Sequence, residues 1–267
     1  MQSSVLSHRP RSCWQVTWAV WHALLLREAM GRMFSSRTSL VWMFLEPVLS
    51  LGFMVLMFTV VRLRTVAGID TVLWLLGGML SFFVFRRTSA QGANAIGANR
   101  ALFAYQQIKP VDTVLVRCSL ELILMCIVAT LVLAGAALLG VQVGWDNPLM
   151  VLGGVVGLWL LGVGWALAVS VATELIPELG YLLGLVMAPM MFMSGVIFPI
   201  SAIPMPWRGW VLYNPLAHGI EAVRAGTSHF YHAVPELDLG YMYACALVLL
   251  WLGLLLQRAF KDRLIAQ

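Results

Sequence analysis

The sequence predicts an all-α polytopic membrane protein with six transmembrane helices and an amphipathic helix before them. Of its 267 residues, 61% are hydrophobic and only 11% are charged, whereas a soluble domain has about a quarter charged residues. The apolar residues also form uninterrupted blocks that reach the ~20 residues needed to cross a bilayer as a helix. Blocks of this length exclude a β-barrel, whose strands have ~10 alternating residues, and a peripheral protein with one anchor.

Six spans follow from these apolar blocks and from the residues that bound them. The second is short because Arg86 and Arg87 follow it directly, and we expect both side chains to snorkel toward the headgroups. The fourth contains no charged residue. The predicted spans are 39–61, 71–85, 111–139, 149–172, 179–198 and 239–256.

The distribution of lysine and arginine places both termini in the cytoplasm. With the N-terminus inside, 13 basic residues fall on the cytoplasmic side and 4 on the outside, as the positive-inside rule requires. The outer four are Arg62, Arg64, Arg208 and Arg224. The net charge of +5 is therefore explained first by topology and only second by an anionic ligand, and no nucleic-acid partner is expected.

An apolar run at 16–26 precedes the first span and predicts a helix in the cytoplasmic interface. It lacks the small-residue cleavage site of a signal peptide. Tryptophan prefers the headgroup level, so its helical spacing here favours an amphipathic interfacial helix over the alternative, an ordinary membrane anchor. The chain thus divides into 1–38, a tail with this helix, and 39–267, the six-helix domain. The residues at helical spacing are Trp14, Trp18, Trp21 and Leu25.

Two segments between spans are long enough to carry function. The cytoplasmic segment 86–110 is polar and rich in small residues, and its part 90–105 predicts one helix closed by Lys109 and Pro110. The outer segment 199–238 contains several prolines and aromatic residues near its start. This pattern predicts short, broken helices at the outer interface, where their backbone must be covered by protein or water.

The sequence carries no local signature of ATP binding, zinc proteolysis or serine hydrolysis. Its two lysines lie outside Gly-rich loops, so it has no phosphate-binding loop. The four cysteines form no C-x-x-C pair, and His229 and His232 are better explained as cover at the outer interface than as metal ligands. We therefore predict no catalytic residue, no metal site and no cofactor bound by this chain.

Charged residues within or near the spans need partners in a medium of low dielectric. Glu46 lies in the first span with no partner in its own turn, so we expect it to face a neighbouring helix or a wet cavity. Arg117 and Glu121 are one turn apart and are expected to pair within the third span. Outside the spans, Glu221 and Arg224 are expected to pair locally.

Motifs along nearly the whole chain resemble a known family. They are FLEP at 44–47, FFVF at 82–85, LFAYQQIKPVDT at 102–113, PELGYLLGLVMAPMMFMSGVIFPISAIP at 177–204 and YNPLAHGIEAVR at 213–224. With them the chain resembles the membrane subunit of ABC exporters for capsular polysaccharide, within the type-2 ABC transporter permeases. The NP-containing segment is shared with other type-2 permeases, whereas KPVDT points more narrowly to capsule export. The resemblance leads us to expect small polar residues directly after FFVF. Arg86 and Arg87 stand there instead and depart from the family pattern.

The resemblance implies the transmembrane domain of a type-2 ABC transporter, with a cytoplasmic coupling helix at about 90–105 and short re-entrant periplasmic helices at about 199–236. It implies a second copy of the chain and two separate ABC ATPase subunits, which would bind the ATP and Mg. It also implies an anionic, glycolipid-linked polysaccharide as cargo, which periplasmic and outer-membrane export proteins receive. The location would be the bacterial inner membrane.

Three groups of residues are candidates for these roles. The substrate candidates are Arg27, Arg32, Arg37, Glu46, Phe82, Phe83, Phe85, Arg86 and Arg87. Their arginines suit a phosphate or carboxylate head, and equally fit the ordinary positive-inside signal. The candidates for coupling to an ATPase could insert into a groove on that partner; alternatively, they form a solvated connector. They are Asn99, Arg100, Leu102, Phe103 and Tyr105. The candidates for an external gate, or for an anchoring belt, are Trp207, Trp210, Tyr213 and Asn214.

Two other functions stay open on the sequence. A type-2 permease for another cargo, such as O-antigen, a teichoic acid or a lipophilic small molecule, would show the same spans and segments. An intramembrane lipid-modifying enzyme would need His, Asp, Ser or metal ligands that converge at one depth, and the sequence shows no such set.

Overall fold

The computed structural model describes residues 13–34, 39–60, 65–105 and 107–266. Within these ranges the protein is almost entirely helical. The α-helices are α1 Cys13–Phe34, α2 Ser39–Val60, α3 Thr71–Ala93, α4 Ala95–Ala98, α5 Pro110–Leu138, α6 Pro148–Leu175, α7 Glu178–Met193, α8 Trp207–Leu212, α9 Pro215–Thr227, α10 Leu239–Ala259 and α11 Lys261–Ala266. The remaining elements are 3-10 turns at Arg100–Ala104 and Ile200–Ala202 and strands β1 Thr65–Val66 and β2 Ile69–Asp70.

Each of the six predicted spans coincides with a helix, in the order α2, α3, α5, α6, α7 and α10. Within the described residues, α5, α6 and α10 are long and apolar enough to cross a membrane by length and composition. The apolar stretches of α2 and α7 are shorter, at Pro47–Phe58 and Glu178–Met193. The helical membrane fold is confirmed, and the number of spans stays a prediction.

A short hairpin before α3 departs from the all-α prediction. Strands β1 and β2 pair antiparallel around Ala67 and Gly68, whose φ angles are 49° and 93°, the left-handed values of a tight turn. A side chain at Gly68 would collide with the carbonyl oxygen of Phe230. Asp70 then caps α3 by accepting a hydrogen bond from the N–H of Val72 at 2.8 Å. Two-residue strands show no alternation, so no periodic signal marks them.

Helix α3 is longer than the predicted span 71–85. The double arginine at 86 and 87 does not end the helix, which continues to Ala93. Arg87 binds the buried carboxylate of Glu121 on α5 at 3.4 Å. Its side chain thus has a partner within the helix bundle, and the end of the membrane span at these arginines stays a prediction.

Helix α6 is at the centre of the described bundle and contacts α3, α9 and α10 along its length. Its Leu158, Leu161 and Leu167 are fully buried. Helix α10 approaches α6 closely at Gly253, where an added Cβ would lie 2.6 Å from the Cβ of Leu167. Small residues allow such close approach between helices in a membrane, so Gly253, together with Gly164 of α6, lets α6 and α10 pack tightly.

Helix α7 lies at the edge of this core: none of its residues is buried, and its half-buried Met187, Met190 and Met191 pack against the core from one side. It also ends at Met193, whereas the predicted span reaches residue 198. The chain turns at Gly195, whose φ of 70° is incompatible with a continuing right-handed helix. The prediction overran because the apolar run itself does not end at this turn.

The segment 90–105 does not form the single helix that was expected. Its start is the last turn of α3, and it continues as α4 and the 3-10 turn Arg100–Ala104. Asn94 and Asn99 lie at the two breaks, and the side-chain amide of each donates to the carbonyl four residues earlier at 2.9 Å. Such bonds compete with the regular backbone ladder, so the prediction of one continuous coupling helix is wrong.

Candidate functional site

Five charged side chains meet between α1, α3 and α5, and we call them the ion-pair cluster. Glu121 of α5 is fully buried and binds Arg32 of α1 and Arg87 of α3. Glu28 of α1 binds Arg117 of α5 at 3.0 Å and Arg32, one turn away, at 3.4 Å. Carboxylates thus alternate with guanidinium groups across three helices, and the cluster holds α1 against α3 and α5.

The cluster corrects the pairing expected for Arg117 and Glu121. They lie one turn apart on α5, but their direct partners are on other helices. Arg117 also donates to the side-chain oxygen of Gln91 at 3.3 Å and to the carbonyl of Asn94 at 3.2 Å. Glu28 is a site residue that sequence reasoning misses, because no local pattern indicates a partner so distant along the chain.

The structure brings together two of the arginines predicted to meet a substrate. Arg32 and Arg87 share one carboxylate of α5. Arg27 instead donates to an asparagine side chain after α4 at 3.1 Å, and the guanidinium of Arg86 lies 5.8 Å from the centre of a phenylalanine ring on α3. Arg37 lies outside the described residues. Contact of these arginines with a substrate stays a prediction.

The aromatic substrate candidates belong to the core of the single chain. Phe82, Phe83 and Phe85 are 1%, 4% and 2% exposed, and Phe85 packs edge-to-face against Trp165 of α6 with ring centres 6.4 Å apart. Glu46 falls within α2, and its side chain lies outside the described part. A substrate path along these residues stays a prediction.

We call residues 94–105 the coupling segment, and polar contacts tie it to two helices. Asn99 is buried and accepts a hydrogen bond from Arg27 of α1. Arg100 pairs with Glu174 in the last turn of α6. The segment is therefore attached at once to the interfacial helix and to the central helix of the bundle.

The apolar candidates of the coupling segment face opposite ways. Phe103 is 8% exposed and packs in a buried cluster with Val114 and Leu264, whereas Tyr105 is 65% exposed and Leu102 is half-buried. A cavity of about 670 Å³ lies between α1 and this segment. Its lining residues are Val20, Ala23, Leu24, Arg27, Leu102, Ala104, Tyr105, Gln107 and Ile108.

The gate candidates form an exposed aromatic surface on α8. Trp207, Trp210 and Tyr213 are 66%, 69% and 72% exposed, and the last two rings meet edge-to-face with centres 6.3 Å apart. Asn214 ends this helix and caps α9, accepting from the N–H two residues later at 3.1 Å and donating to the hydroxyl of Ser194 at 2.9 Å. The expected helix with a break at Asn214 is confirmed, and its role as a gate stays a prediction.

Below this surface lies a buried arginine whose role the sequence only partly predicts. Arg224 of α9 pairs with Glu221 at 3.5 Å, which confirms the expected local pair. Its guanidinium also donates to the carbonyls of Trp74 at 3.2 Å, Gly195 at 2.8 Å and Val196 at 2.8 Å. The same group lies 3.9 Å from the centre of the Trp74 ring. Arg224 thus joins α9 to α3 and to the turn after α7.

Tyr231 completes this buried set. Its hydroxyl donates to the Glu221 carboxylate, with oxygens at 2.8 and 2.9 Å. Burial and the nearby carboxylate raise the pKa of Tyr231 above its usual value. The neutral phenol is therefore held as a donor, and Glu221 has both Arg224 and Tyr231 as partners.

Metal ligation has no geometric basis among the described side chains. No group of three or more His, Cys, Asp or Glu residues in the described ranges is placed to hold an ion. His232 lies with its Nδ1 3.3 Å from the carbonyl oxygen of Ala67 in the hairpin. His218 accepts from the N–H of Asp238 at 3.0 Å and meets the carbonyl of Leu212 at 2.9 Å. The absence of a bound cofactor stays a prediction.

Comparison with known proteins identifies the family. A family model described as ABC-2 type transporter matches residues 19–227, a range that contains the ion-pair cluster, the coupling segment and the outer helices α8 and α9. The chain belongs to the ABC-2 type transporter family. The resemblance to type-2 permeases carried by the sequence motifs is thereby confirmed.

Relatives of this ABC-2 type transporter protein match it over nearly their whole length. It is 30% identical over 255 residues to the polysialic acid transport protein KpsM of Escherichia coli, covering 96% of this chain and 98% of the relative. It is 31% identical over 246 residues to CtrC of Neisseria meningitidis serogroup A, covering 90% of each chain. It is 25% identical over 247 residues to BexB of Haemophilus influenzae, covering 91% of each. CtrC and BexB are capsule polysaccharide export inner-membrane proteins.

Proposed function

We propose that this chain is the membrane-spanning subunit of an ATP-driven exporter that moves lipid-linked, anionic capsular polysaccharide across the bacterial inner membrane. The observation that carries the proposal is the similarity to KpsM, CtrC and BexB over at least 90% of the chain. The shared length covers the transmembrane helices together with the segments between them. The termini are assigned to the cytoplasm on the basis of the positive-inside count.

ATP hydrolysis is assigned to two separate ATPase subunits. A phosphate-binding loop requires clustered backbone N–H groups and a lysine, and neither Lys109 nor Lys261 lies in a Gly-rich loop. The coupling segment offers a surface for such a partner, because Tyr105 is exposed beside an open cavity. The pair between Arg100 and Glu174 would transmit movement of this segment to α6.

The path of the polymer is assigned to the boundary between two copies of the chain. Buried apolar side chains form the core of the described bundle, and the cavity of about 670 Å³ lies beside α1, on the predicted cytoplasmic side. Helix α7 has no buried residue, and its Tyr181, Leu185 and Phe192 are each more than half exposed. A second copy against this unpartnered face would enclose a path that one chain does not contain.

The cargo chemistry fits both ends of this path. Arginines at the cytoplasmic ends of α1 and α3 suit the phosphate or carboxylate of a lipid-linked end. Aromatic rings on α8 suit sugars, since they pack against C–H groups without requiring a fixed hydrogen-bond pattern. Periplasmic and outer-membrane export proteins would receive the polymer at this outer surface.

Deletion of the gene in its source bacterium tests the export function. We expect surface capsule to disappear while polymer accumulates inside the cell, and the intact gene to restore export. Absence of polymer from both places would contradict export and indicate a role in synthesis, as for an enzyme. Loss of a different surface glycan with normal capsule would instead identify another cargo.

Purification in mild detergent tests whether ATP hydrolysis belongs to a separate subunit. The chain should co-purify with an ABC ATPase, and ATP turnover should depend on that subunit. The control is the purified chain alone, which should turn over ATP at the background rate. Turnover above background by the chain alone would contradict the assignment.

A further inference from the structure

Helix α1 is attached to the rest of the protein mainly by polar contacts. Among its described side chains only Leu24 is buried, and Trp14 and Trp18 are 75% and 64% exposed. The indole N–H of Trp21 donates to a carboxylate of α5 at 2.9 Å. Further polar ties are the hydrogen bond of Arg27, the salt bridges of the ion-pair cluster and a hydrogen bond from Arg32 to the side chain of Gln91 at 3.5 Å. Ion pairs of this kind are open to competition from another anion, and with one buried side chain α1 exposes little apolar area when it leaves.

Within the cluster, Arg117 is fixed in place by groups that do not belong to α1. One terminal nitrogen donates to the carbonyl of Asn94 at 3.2 Å and the other to the side chain of Gln91 at 3.3 Å. Its Nε is buried, has no hydrogen-bond partner among the described groups and lies 3.0 Å from a carboxylate oxygen of Glu28 of α1, as an ion pair. The guanidinium would therefore keep its orientation without α1, which is the property of a preformed anion site.

Departure of α1 would not leave the buried carboxylate of the cluster without a cation. Glu121 loses Arg32 when α1 leaves, but it keeps Arg87, which comes from α3. A buried carboxylate stripped of every partner would carry a large penalty, and this second arginine avoids it. The side chains of Glu28 and Arg117 are 18% and 14% exposed, so the pair borders the surface, and the buried Nε of Arg117 would become accessible when Glu28 withdraws.

We propose that Arg117 binds the phosphate of an anionic lipid headgroup from the cytoplasmic leaflet, that Glu28 occupies this position in the present structure, and that exchange of Glu28 for phosphate releases α1. The phosphate takes the place of the Glu28 carboxylate in its ion pair with Arg117, and its oxygens can accept the hydrogen bond that Nε lacks at present. Anionic headgroups lie at the depth predicted for the interfacial helix. Helix α1 is then a lid that is held closed by the Glu28 carboxylate, an anion that occupies the site of the lipid phosphate.

The lid would give the exporter a way to admit a lipid-linked anionic end beside α3 and α5, and in this respect it rests on the proposed function. The release of α1 by anionic lipid does not depend on that function. Its test needs neither polysaccharide nor an ATPase, so failure of one is distinguishable from failure of the other.

The experiment measures how fast a cysteine under the lid reacts with a neutral maleimide. The full chain with Leu24→Cys is placed in nanodiscs of phosphatidylcholine alone or of phosphatidylcholine with phosphatidylglycerol. Labelling is quantified peptide by peptide, so buried Cys118 reports whether the fold is intact. We expect phosphatidylglycerol to raise the rate at position 24 roughly tenfold, the effect of about 1.4 kcal/mol of differential binding.

Two further variants assign the effect to Glu28. With Glu28→Gln added, labelling at position 24 should be fast in both lipids, because the closing carboxylate is gone. Glu178→Gln, the same change in the first turn of α7, should behave like the parent. Equal rates for the parent in both lipids would overturn the proposal, as would an equal response of the Glu28→Gln variant to phosphatidylglycerol. Release by inorganic phosphate in phosphatidylcholine would overturn the lipid as the source.

Discussion

Arg224 holds together an outer region that has little regular structure of its own. Its single guanidinium binds three carbonyls, stacks on Trp74 and pairs with Glu221. Arginine suits this task because its donors form a rigid planar fork that one ammonium group cannot copy. The turn at 194–196, which ends α7, is thereby fixed to α9 and α3.

Replacement of this arginine by lysine should destabilise the protein. We expect Arg224→Lys to lower the free energy of unfolding by ~3 kcal/mol, because a lysine leaves buried carbonyls and a buried carboxylate without donors. Thermal loss of the monodisperse peak in detergent measures the change. Arg258→Lys, in the last turn of α10, is the matched control. Equal midpoints for the two variants would show that Arg224 is not needed to hold the outer region.

The cytoplasmic arginines differ in what their substitution can reveal. Reversing the charge of Arg32 or Arg87 would place a new carboxylate beside buried Glu121. Loss of export in those variants would then report broken ion pairs, whatever the cargo does. The guanidinium of Arg86 lies near an aromatic ring of α3, and Arg86 is not one of the five residues of the ion-pair cluster.

Arg86→Gln therefore tests cargo contact at this position. If the arginine binds the anionic end of the cargo, export should fall roughly fivefold, corresponding to ~1 kcal/mol per charge, while the amount of folded protein is unchanged. Arg263→Gln in α11 should export normally. Surface polymer and membrane protein level are the two measurements, and equal export by both variants would assign Arg86 to topology.

Among the elements, the coupling segment shows what the sequence could and could not predict. Its position, polarity and aromatic residues were predictable, because they depend on composition between two apolar blocks. The two breaks were not, because Asn94 and Asn99 form their backbone bonds only in this local geometry. The different burial of Phe103 and Tyr105 depends on tertiary packing, because Phe103 lies in a buried cluster with residues of other helices, whereas Tyr105 follows the end of the 3-10 turn in extended backbone.

This difference in burial separates a docking role from a structural one. Tyr105→Ala should weaken association with the ATPase by ~2 kcal/mol, as expected when an interface anchor is lost, without changing thermal stability. Phe103→Ala should instead destabilise the chain by ~3 kcal/mol or more, since it removes a buried ring. Co-purification and ATPase stimulation measure the first effect, and thermal unfolding measures the second.

Tyr213→Ala, on the outer side and 72% exposed, is the control for losing an exposed tyrosine. Undiminished recovery of the ATPase with the Tyr105→Ala variant would remove this residue from the interface.

The ends of helices were less predictable than their positions. Apolar runs located α5, α6 and α10 within a few residues, since span length is fixed by the membrane. Helix α3 continues past Arg87, which pairs with Glu121 of another helix, and α7 ends at a turn held by Arg224. Both Glu121 and Arg224 are distant in sequence from the residues that they contact, so local sequence patterns do not indicate these contacts.

At the scale of the whole molecule, the role of the outer aromatic surface depends on whether a second copy of the chain packs against it. The exposed rings of Trp207, Trp210 and Tyr213 can meet their equivalents across a symmetric interface. They can equally anchor the protein at the outer headgroups. The two roles differ in whether the surroundings of the rings change during the transport cycle.

Cysteine labelling at Trp210 distinguishes them. If the surface is a gate, reaction of Trp210→Cys with a membrane-impermeant thiol reagent should change when ATP is supplied to the complex. Leu139→Cys, at the outer end of α5 and 87% exposed at the native residue, should label at a constant rate. Constant labelling at both positions would identify an anchoring belt.

The attachments at the two ends of α6 have a mechanical consequence. At its cytoplasmic end Glu174 holds Arg100, and just before its outer end the N–H of Asn147 donates to the carbonyl of Gly226 in α9 at 2.9 Å. Between them runs one helix of 28 residues, ~42 Å long, with proline only in its first turn. Because no proline interrupts this helix, a displacement of the coupling segment at one end of α6 would be carried along the helix to α9 at the other end.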